Sequence, residues 1–280
     1  MPEGDSVARV ARSLDTALAG RELAVGRLRV PAHATADLAG WRVLGTATHG
    51  KHLLTRLARG GETPLTLHTH LRMDGQWALL DPGRRLPSRL VPDVRAVLVT
   101  AQDPAAPGGG RTAAALRMPV VELLPTAREH DVVGHLGPDL LAPDFDAAEA
   151  VRRLGSDPQR PLAAALLDQR LVAGLGNLWA NELCFLIGRS PWTPVGEVDL
   201  PRLVALAARA LRASAAGTTG YQVTTGNTRR GEDHWVAGRA GKPCRRCGTS
   251  VRMVEEVPGD PGRRRTWWCP HCQPGPGPDR

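Results

Sequence analysis

Four cysteines near the C-terminus carry the clearest chemistry in the chain. Cys244-Arg-Arg-Cys247 and Cys269-Pro-His-Cys272 are two C-x-x-C pairs with 21 residues between them. Each pair can sit on a knuckle with two thiolates on one side of an ion, and two knuckles close a tetrahedral site. A redox C-x-x-C needs no second copy. The spacing therefore predicts one structural zinc ion, Zn2+, held by Cys244, Cys247, Cys269 and Cys272. Four sulfur ligands leave no open coordination position, so the ion's work is to hold together a hairpin too small to fold alone. Within it, Val251–Glu256 and Arg264–Trp268 read as strands around a Pro258-Gly259-Asp260-Pro261-Gly262 turn. Arg263, Arg264 and Arg265 give that hairpin a basic tip. A solvated basic turn has the same composition, but an ordered tip suits DNA phosphates. The fifth cysteine, Cys184, lies in an apolar run and reads as a buried core thiol.

Three further stretches could do chemistry. In Gln169-Arg-Leu-Val-Ala-Gly-Leu-Gly-Asn177, Gly174 and Gly176 permit positive φ and close backbone approach. Asn177 suits the N-cap of a following helix, whose free amides would bind an anion. Most such turns simply join helices. At the other end, Pro2 lets Met1 be removed, leaving a secondary amine with a pKa of about 8, nucleophilic near neutral pH. Glu3 beside it is a carboxyl able to move a proton. Taken alone, an ordinary N-terminus carries the same letters. Lys51 follows Gly50 at a tight turn between strand-like runs, and Arg72 and Met73 lie on a turn after His70.

The elements that must position these residues fall into two halves. Residues 2–20 read as a helix, with Val7, Val10, Ala11, Leu14 and Leu18 at helical spacing and Gly20 as the stop. From about 21 to 125, short runs such as HLLTRL, PLTLHTHL, AVLVT and VVELL alternate with Gly and Pro clusters, which predicts a small β-sandwich or barrel. Asp103–Arg111 reads as a hairpin loop. After Pro138, segments 146–154, 161–170, 177–187 and 199–214 have helical periodicity. A polar, Gly-rich stretch over 216–241 precedes the cysteine hairpin. The expected fold is α+β: an N-terminal helix plus β-sandwich domain over 2–125, a linker over 126–137, a helical domain over 138–237, and a cysteine hairpin over 238–274.

Bulk composition sets the partner class. Thirty-six Lys and Arg against 28 Asp and Glu leave a net charge of +8, which favours a polyanion, although Arg-heavy composition alone can produce it. With 42% hydrophobic residues the chain can bury a sizeable core. The opening MPEGDSVARV has no basic stretch followed by an apolar one, and no apolar run approaches bilayer length. A cytoplasmic, nucleoid-associated location is expected, with no membrane partner.

Met-Pro2-Glu3-Gly4-Asp5, Gly50-Lys51-His52-Leu-Leu, His70-Leu-Arg-Met-Asp-Gly75, Ala-Gly-Leu-Gly-Asn177 and the four-cysteine finger occur in that order. Together they resemble the formamidopyrimidine-DNA glycosylase and endonuclease VIII family with its helix–two-turns–helix module, nearest the actinobacterial endonuclease VIII branch. The resemblance spans nearly the whole chain. It implies a bifunctional glycosylase and abasic-site lyase, working as a monomer on double-stranded DNA with damaged bases or abasic sites. Pro2 would attack the sugar C1′, Glu3 would pass a proton to the ring oxygen, and Lys51 would be a third catalytic residue, gripping a phosphate near the lesion and assisting proton transfer. Arg72 and Met73 would fill the gap left by the extruded nucleotide, whose loss of stacking costs a few kcal/mol. Asn177 and Arg264 match the family's phosphate contacts. Ser6 stands where the family often has glutamate, and Ala237 where it has tyrosine. The short stretch from 217 to 239 lacks the aromatic loop of the purine-specific branch, which favours oxidised pyrimidines. The rival readings are an inactive DNA-binding relative, a purine-specific glycosylase, and a zinc-ribbon module for RNA or protein.

Overall fold

The structure is a computed structural model that describes residues 2–102, 110–217, 219–229, 231–256 and 264–278. The 103–109 part of the expected hairpin loop, the 258–262 turn and Arg263 lie outside the described residues. The chain divides into two compact units, Val7–His135 with Pro2, and Leu136–Arg280 with Glu3–Ser6.

In the first unit, helix α1 (Gly4–Leu18) turns a stripe of Val7, Ala11, Leu14 and Leu18 inward. Eight strands follow: β1 (Leu23–Leu28), β2 (Arg42–His49), β3 (His52–Ala58), β4 (Leu65–His70), β5 (Gln76–Leu80), β6 (Val94–Thr100), β7 (Thr112–Leu116) and β8 (Val120–Pro125). They form two four-stranded antiparallel sheets, ordered β1-β6-β7-β5 and β2-β3-β4-β8. Along β6, buried and half-buried residues alternate, as a strand with one face on a core requires. Leu23, Leu53, Leu57, Leu67 and Leu98 meet α1 in a single apolar cluster. The stretch after β8 has structure of its own, a 3-10 turn at Thr126–Arg128 and a short helix α2 (His130–Val133). Glu129 fixes it, accepting both prongs of the Arg56 guanidinium at 2.8 and 2.7 Å and the Thr66 hydroxyl at 2.6 Å.

The second unit is helical, with α3 (Ala147–Leu154), α4 (Leu162–Leu167), α5 (Asn177–Ile187) and α6 (Leu200–Ala216). Asp146 caps α3 and Asp199 caps α6, each accepting a backbone N–H three residues on, at 2.9 and 3.0 Å. Every residue of α5 from Trp179 to Phe185 is buried, with α4 and α6 packed against it and α3 against α6. It stops at Gly188, whose φ of +70° is the left-handed conformation that closes a helix. Cys184 is buried on α5, and burial pushes its thiol up, which leaves it inert. A two-stranded ribbon, β9 (Arg252–Val254) and β10 (Thr266–Trp268), completes the unit.

Candidate functional site

The turn before α5 is built by one side chain. Gln169 donates to the carbonyls of Leu167 and Leu175 at 3.0 and 2.8 Å, and its own amide oxygen accepts from Gly174. That presents the first amides of α5 to Glu3. The Glu3 carboxylate is buried and accepts from Gly176 N at 2.8 Å, Leu178 N at 2.8 Å and Trp179 N at 3.2 Å. The Gly4 N–H donates to the Gly174 carbonyl at 2.8 Å. A negative side chain on a helix N-terminus is favourable both as a hydrogen-bond acceptor and against the helix dipole. The expected N-cap is therefore corrected. Gly176 occupies the cap position, Asn177 is the first helical residue, and the capping oxygens come from Glu3, far away in sequence. Those three amides are thus engaged by a carboxylate of the chain itself.

Both glycines of this turn are needed for the fit. Gly174 has φ of +103°, and a Cβ on Gly176 would lie 2.4 Å from the Glu3 carboxyl carbon. Next along, Asp5 is buried and accepts from the Ser214 hydroxyl at 2.6 Å and the Gln222 amide at 2.8 Å. The polar stretch after α6 is held from α5 by Glu182. Its carboxylate accepts from the backbone of Trp235, Val236 and Ala237, each at 2.8 Å, and from the Thr224 hydroxyl. Ala237 keeps its place through the backbone, so the missing tyrosine side chain costs nothing in that contact.

Asn177 donates to the Arg265 carbonyl at 2.9 Å, and Asn181 accepts from Trp267 N at 2.7 Å. Two asparagines on α5 thereby seat β10, and with it Arg264 beside Arg265. In the finger, the four cysteine sulfurs all lie within 4.8 Å of one another. Cys244 Sγ stands 3.9 Å from Cys272 Sγ, and Cys247 Sγ 3.5 Å from Cys269 Sγ. Tetrahedral bonds of about 2.3 Å would put sulfurs about 3.8 Å apart, so the cluster fits one ion. Arg246 N donates to Cys244 Sγ and Cys272 N to Cys269 Sγ, each at 3.4 Å. The hydroxyl and amide of Thr249 lower the Cys247 thiol to about 6, whereas burial and the neighbouring sulfurs push Cys272 up. Four thiolates so close need a cation to ionise together.

In the first unit, His49 pairs with His52 across the two-residue turn Gly50-Lys51, and Gly50 has φ of +58°. Lys51 is half-buried there. Arg72 has a left-handed φ of +45°, unusual for a residue with a Cβ, and donates its N–H to His70 Nδ1 at 3.0 Å. Met73 is 66% exposed on that turn. Pro2 is half-buried. The geometry thus joins Glu3 with the Asn177 end of α5, Asn177 with the Arg265 carbonyl next to Arg264 just before β10, and Arg72 with His70. Burial lowers His70 to about 4, helped by the charges of Arg72 and Lys51. Sequence reasoning missed Asp5, Gln169, Glu182, and His52 with His68. Only the histidines left a signal, their recurrence at strand spacing in His68-Thr-His70 near Gly-Lys-His52.

The family model for the formamidopyrimidine-DNA glycosylase N-terminal domain matches residues 1–114, and that for the formamidopyrimidine-DNA glycosylase H2TH domain matches residues 136–221. A Streptomyces coelicolor protein named probable endonuclease 8 2 is 49% identical over 99% of this chain and 96% of its own length. Nei2 of Mycolicibacterium smegmatis, named a DNA-(apurinic or apyrimidinic site) lyase, is 42% identical over 98% and 99%. Among solved structures, Lactococcus lactis formamidopyrimidine-DNA glycosylase, non-covalently bound to DNA containing an abasic site, superposes with a TM-score of 0.76. It is 22% identical and covers 98% of this chain and 100% of its own, a likeness of fold.

Proposed function

The chain belongs to the formamidopyrimidine-DNA glycosylase and endonuclease VIII family, and from that premise we propose that it is a base-excision repair enzyme, a bifunctional DNA glycosylase and abasic-site lyase acting on double-stranded DNA as a monomer. The observation that carries the mechanism is Glu3 seated on the α5 amides. It fixes the chain one residue from the Pro2 nitrogen, and a nucleophile held in place reacts at a far higher effective concentration than a free one. With Met1 removed, the secondary amine of Pro2 attacks C1′ of the damaged nucleotide. The base departs with the electrons of its glycosidic bond and is protonated. The nitrogen gives up its own proton and forms the C1′=N bond of an iminium ion as the C1′–O4′ bond breaks and the ring oxygen is protonated. That electron sink acidifies the C2′ hydrogen, so β-elimination and then δ-elimination cut the strand. The Glu3 carboxylate exchanges a proton with the ring oxygen.

Lys51, Asn177 and Arg264 bind phosphates, and Arg72 with Met73 fills the space of the extruded nucleotide. The exposure of Met73 and the strained backbone of Arg72 support the wedge role. Oxidised pyrimidines are the preferred substrates. A cavity of about 450 Å³ in the second unit supports this, lined by Trp179, Ser214, Thr219, Thr224, Thr225 and Thr228, with no charged side chain among the described residues. Its hydroxyls suit the neutral, hydrogen-bonding edges of such a base. Cys244, Cys247, Cys269 and Cys272 hold a single zinc ion, which supplies cross-linking rather than catalysis. No helix among the described residues is long and apolar enough to cross a membrane, and we place the protein in the cytoplasm with the nucleoid.

The test is borohydride reduction on a duplex with one abasic site. The protein freed of Met1 forms a covalent complex with the DNA, and one extra residue before Pro2 abolishes it. DNA binding without any complex in the first case would remove the catalytic assignment. Paired duplexes with 5-hydroxyuracil or 8-oxoguanine then decide the substrate, the former being cut faster.

A further inference from the structure

One face of the β2-β3-β4-β8 sheet carries a buried polar chain that none of the roles above uses. In the strand register His52 faces His70 and His68 faces Glu122, so His52, His68, His70 and Glu122 share a face. His68 is buried, and both its ring nitrogens have partners: Nδ1 lies 2.9 Å from Glu122 Oε2, and Nε2 lies 2.8 Å from His52 Nδ1. The His52 and His68 rings stack with centroids 5.0 Å apart, and Glu122 is half exposed. This order fixes the protons. A carboxylate only accepts, so His68 Nδ1–H must donate to Glu122 and neutral His68 must accept at Nε2. His52 then donates from Nδ1, which leaves its Nε2 with a free lone pair. That ring directly follows Lys51.

From this we infer that Glu122 and His68 position His52 as a neutral proton acceptor beside Lys51, and that the three form a conduit carrying a proton from the reaction to solvent. The inference rests on the lyase reading above. A proton taken up at His52 Nε2 is matched by passage of its Nδ1 proton to His68 Nε2, and of the His68 Nδ1 proton to Glu122. Both rings end neutral in the opposite tautomer, and the exposed carboxyl releases the proton to water. The surroundings keep His52 from storing charge. Burial lowers His52 to about 3, with His70 and His68 on β4, His135 beyond α2 and His49 on β2 adding to it. Lys51 and Arg72, whose charges lower His70, lie on the same side of the balance, and Glu122 on β8 is the one anion of the set. His52 is therefore no sink, and a proton arriving there must move on.

Glu122→Gln separates conduit from scaffold, because its amide oxygen still accepts from His68 but takes no proton. Nitrogen-15 spectra of the parent's histidines should show His68 and His52 each protonated at Nδ1. In single-turnover strand cleavage at an abasic site, Glu122→Gln should slow the rate roughly tenfold. Its DNA affinity and melting temperature should match the parent's, and added imidazole should restore the rate. His52 protonated at Nε2, or Glu122→Gln cleaving at the parent's rate with the parent's pH profile, would overturn the inference. If the parent itself forms no borohydride complex, the lyase reading has failed, and the tautomers still decide the relay.

Discussion

A carboxylate that accepts three backbone N–H groups is both a structural cap and a fixed reference point, and Glu3 occupies that position one residue from the proposed nucleophile. Gly176 makes room for it. With φ of −128° Gly176 is in ordinary extended backbone, so alanine is tolerated there by the chain itself. Its added Cβ would nevertheless lie 2.4 Å from the Glu3 carboxyl carbon. Gly176→Ala should therefore act first through Glu3. We expect a stability loss of about 1–3 kcal/mol, as buried amides lose a charged acceptor, read from urea denaturation. Borohydride complex formation should fall with it by more than tenfold, since small misplacements of a reacting group are costly in rate. A variant that keeps both would move the importance of the turn from Glu3 to some other contact.

At the scale of elements, pH reads the histidine face. His52 and His70 titrate near 3 and 4 in the folded chain, with burial the first cause in each, against an ordinary value of 6.5. Protonation therefore favours the unfolded chain. The stability tied to these neutral rings is complete above about pH 6.5 and lost as pH falls toward 4. Glu149, held to about 2 by Arg152 and Arg153, adds its own loss only as pH falls through its ordinary value of 4.5, so it contributes little between pH 7 and pH 5. The urea midpoint should fall between pH 7 and pH 5, and less so in a His52→Gln, His70→Gln double variant. Identical slopes would assign the titration elsewhere. The finger gives the second prediction at this scale: one zinc per chain by elemental analysis, with a chelator removing both the metal and duplex binding while the β-sandwich keeps its own transition. The elements were legible because periodicity and caps are local: α1, α5 and α6 lie within a few residues of their expected bounds, and the finger strands fall inside theirs. The Cys clusters were legible by spacing. What escaped depends on distant partners. Glu182 reads as one more acidic helix residue until Trp235, Val236 and Ala237 are folded against it. The Asn177 cap was misread because the better acceptor comes from the other end of the chain.

For the whole molecule the relevant quantity is charge left over after internal pairing. Several acids are paired with arginine: Glu129 with Arg56, Glu149 with Arg152 and Arg153, Asp168 with Arg160 and Arg170, and Glu255 with Arg265. The net +8 is thus an excess of cations over the acids present to neutralise them. A basic chain whose charge merely reflects Arg-rich composition would bind DNA diffusely. One with placed phosphate contacts should show a defined salt slope, because each neutralised phosphate releases condensed counterions. The logarithm of the duplex affinity should fall linearly with the logarithm of salt concentration, by about 0.9 per phosphate contact. Arg264→Ala should reduce that slope by about 1 and weaken all duplexes alike, damaged or not, as loss of a backbone contact does. Since Asn177 and Asn181 seat the strand beside Arg264 through backbone atoms, the variant leaves the finger's docking intact. A selective loss for damaged duplexes would instead place Arg264 at the lesion, and an unchanged slope would remove it from the interface.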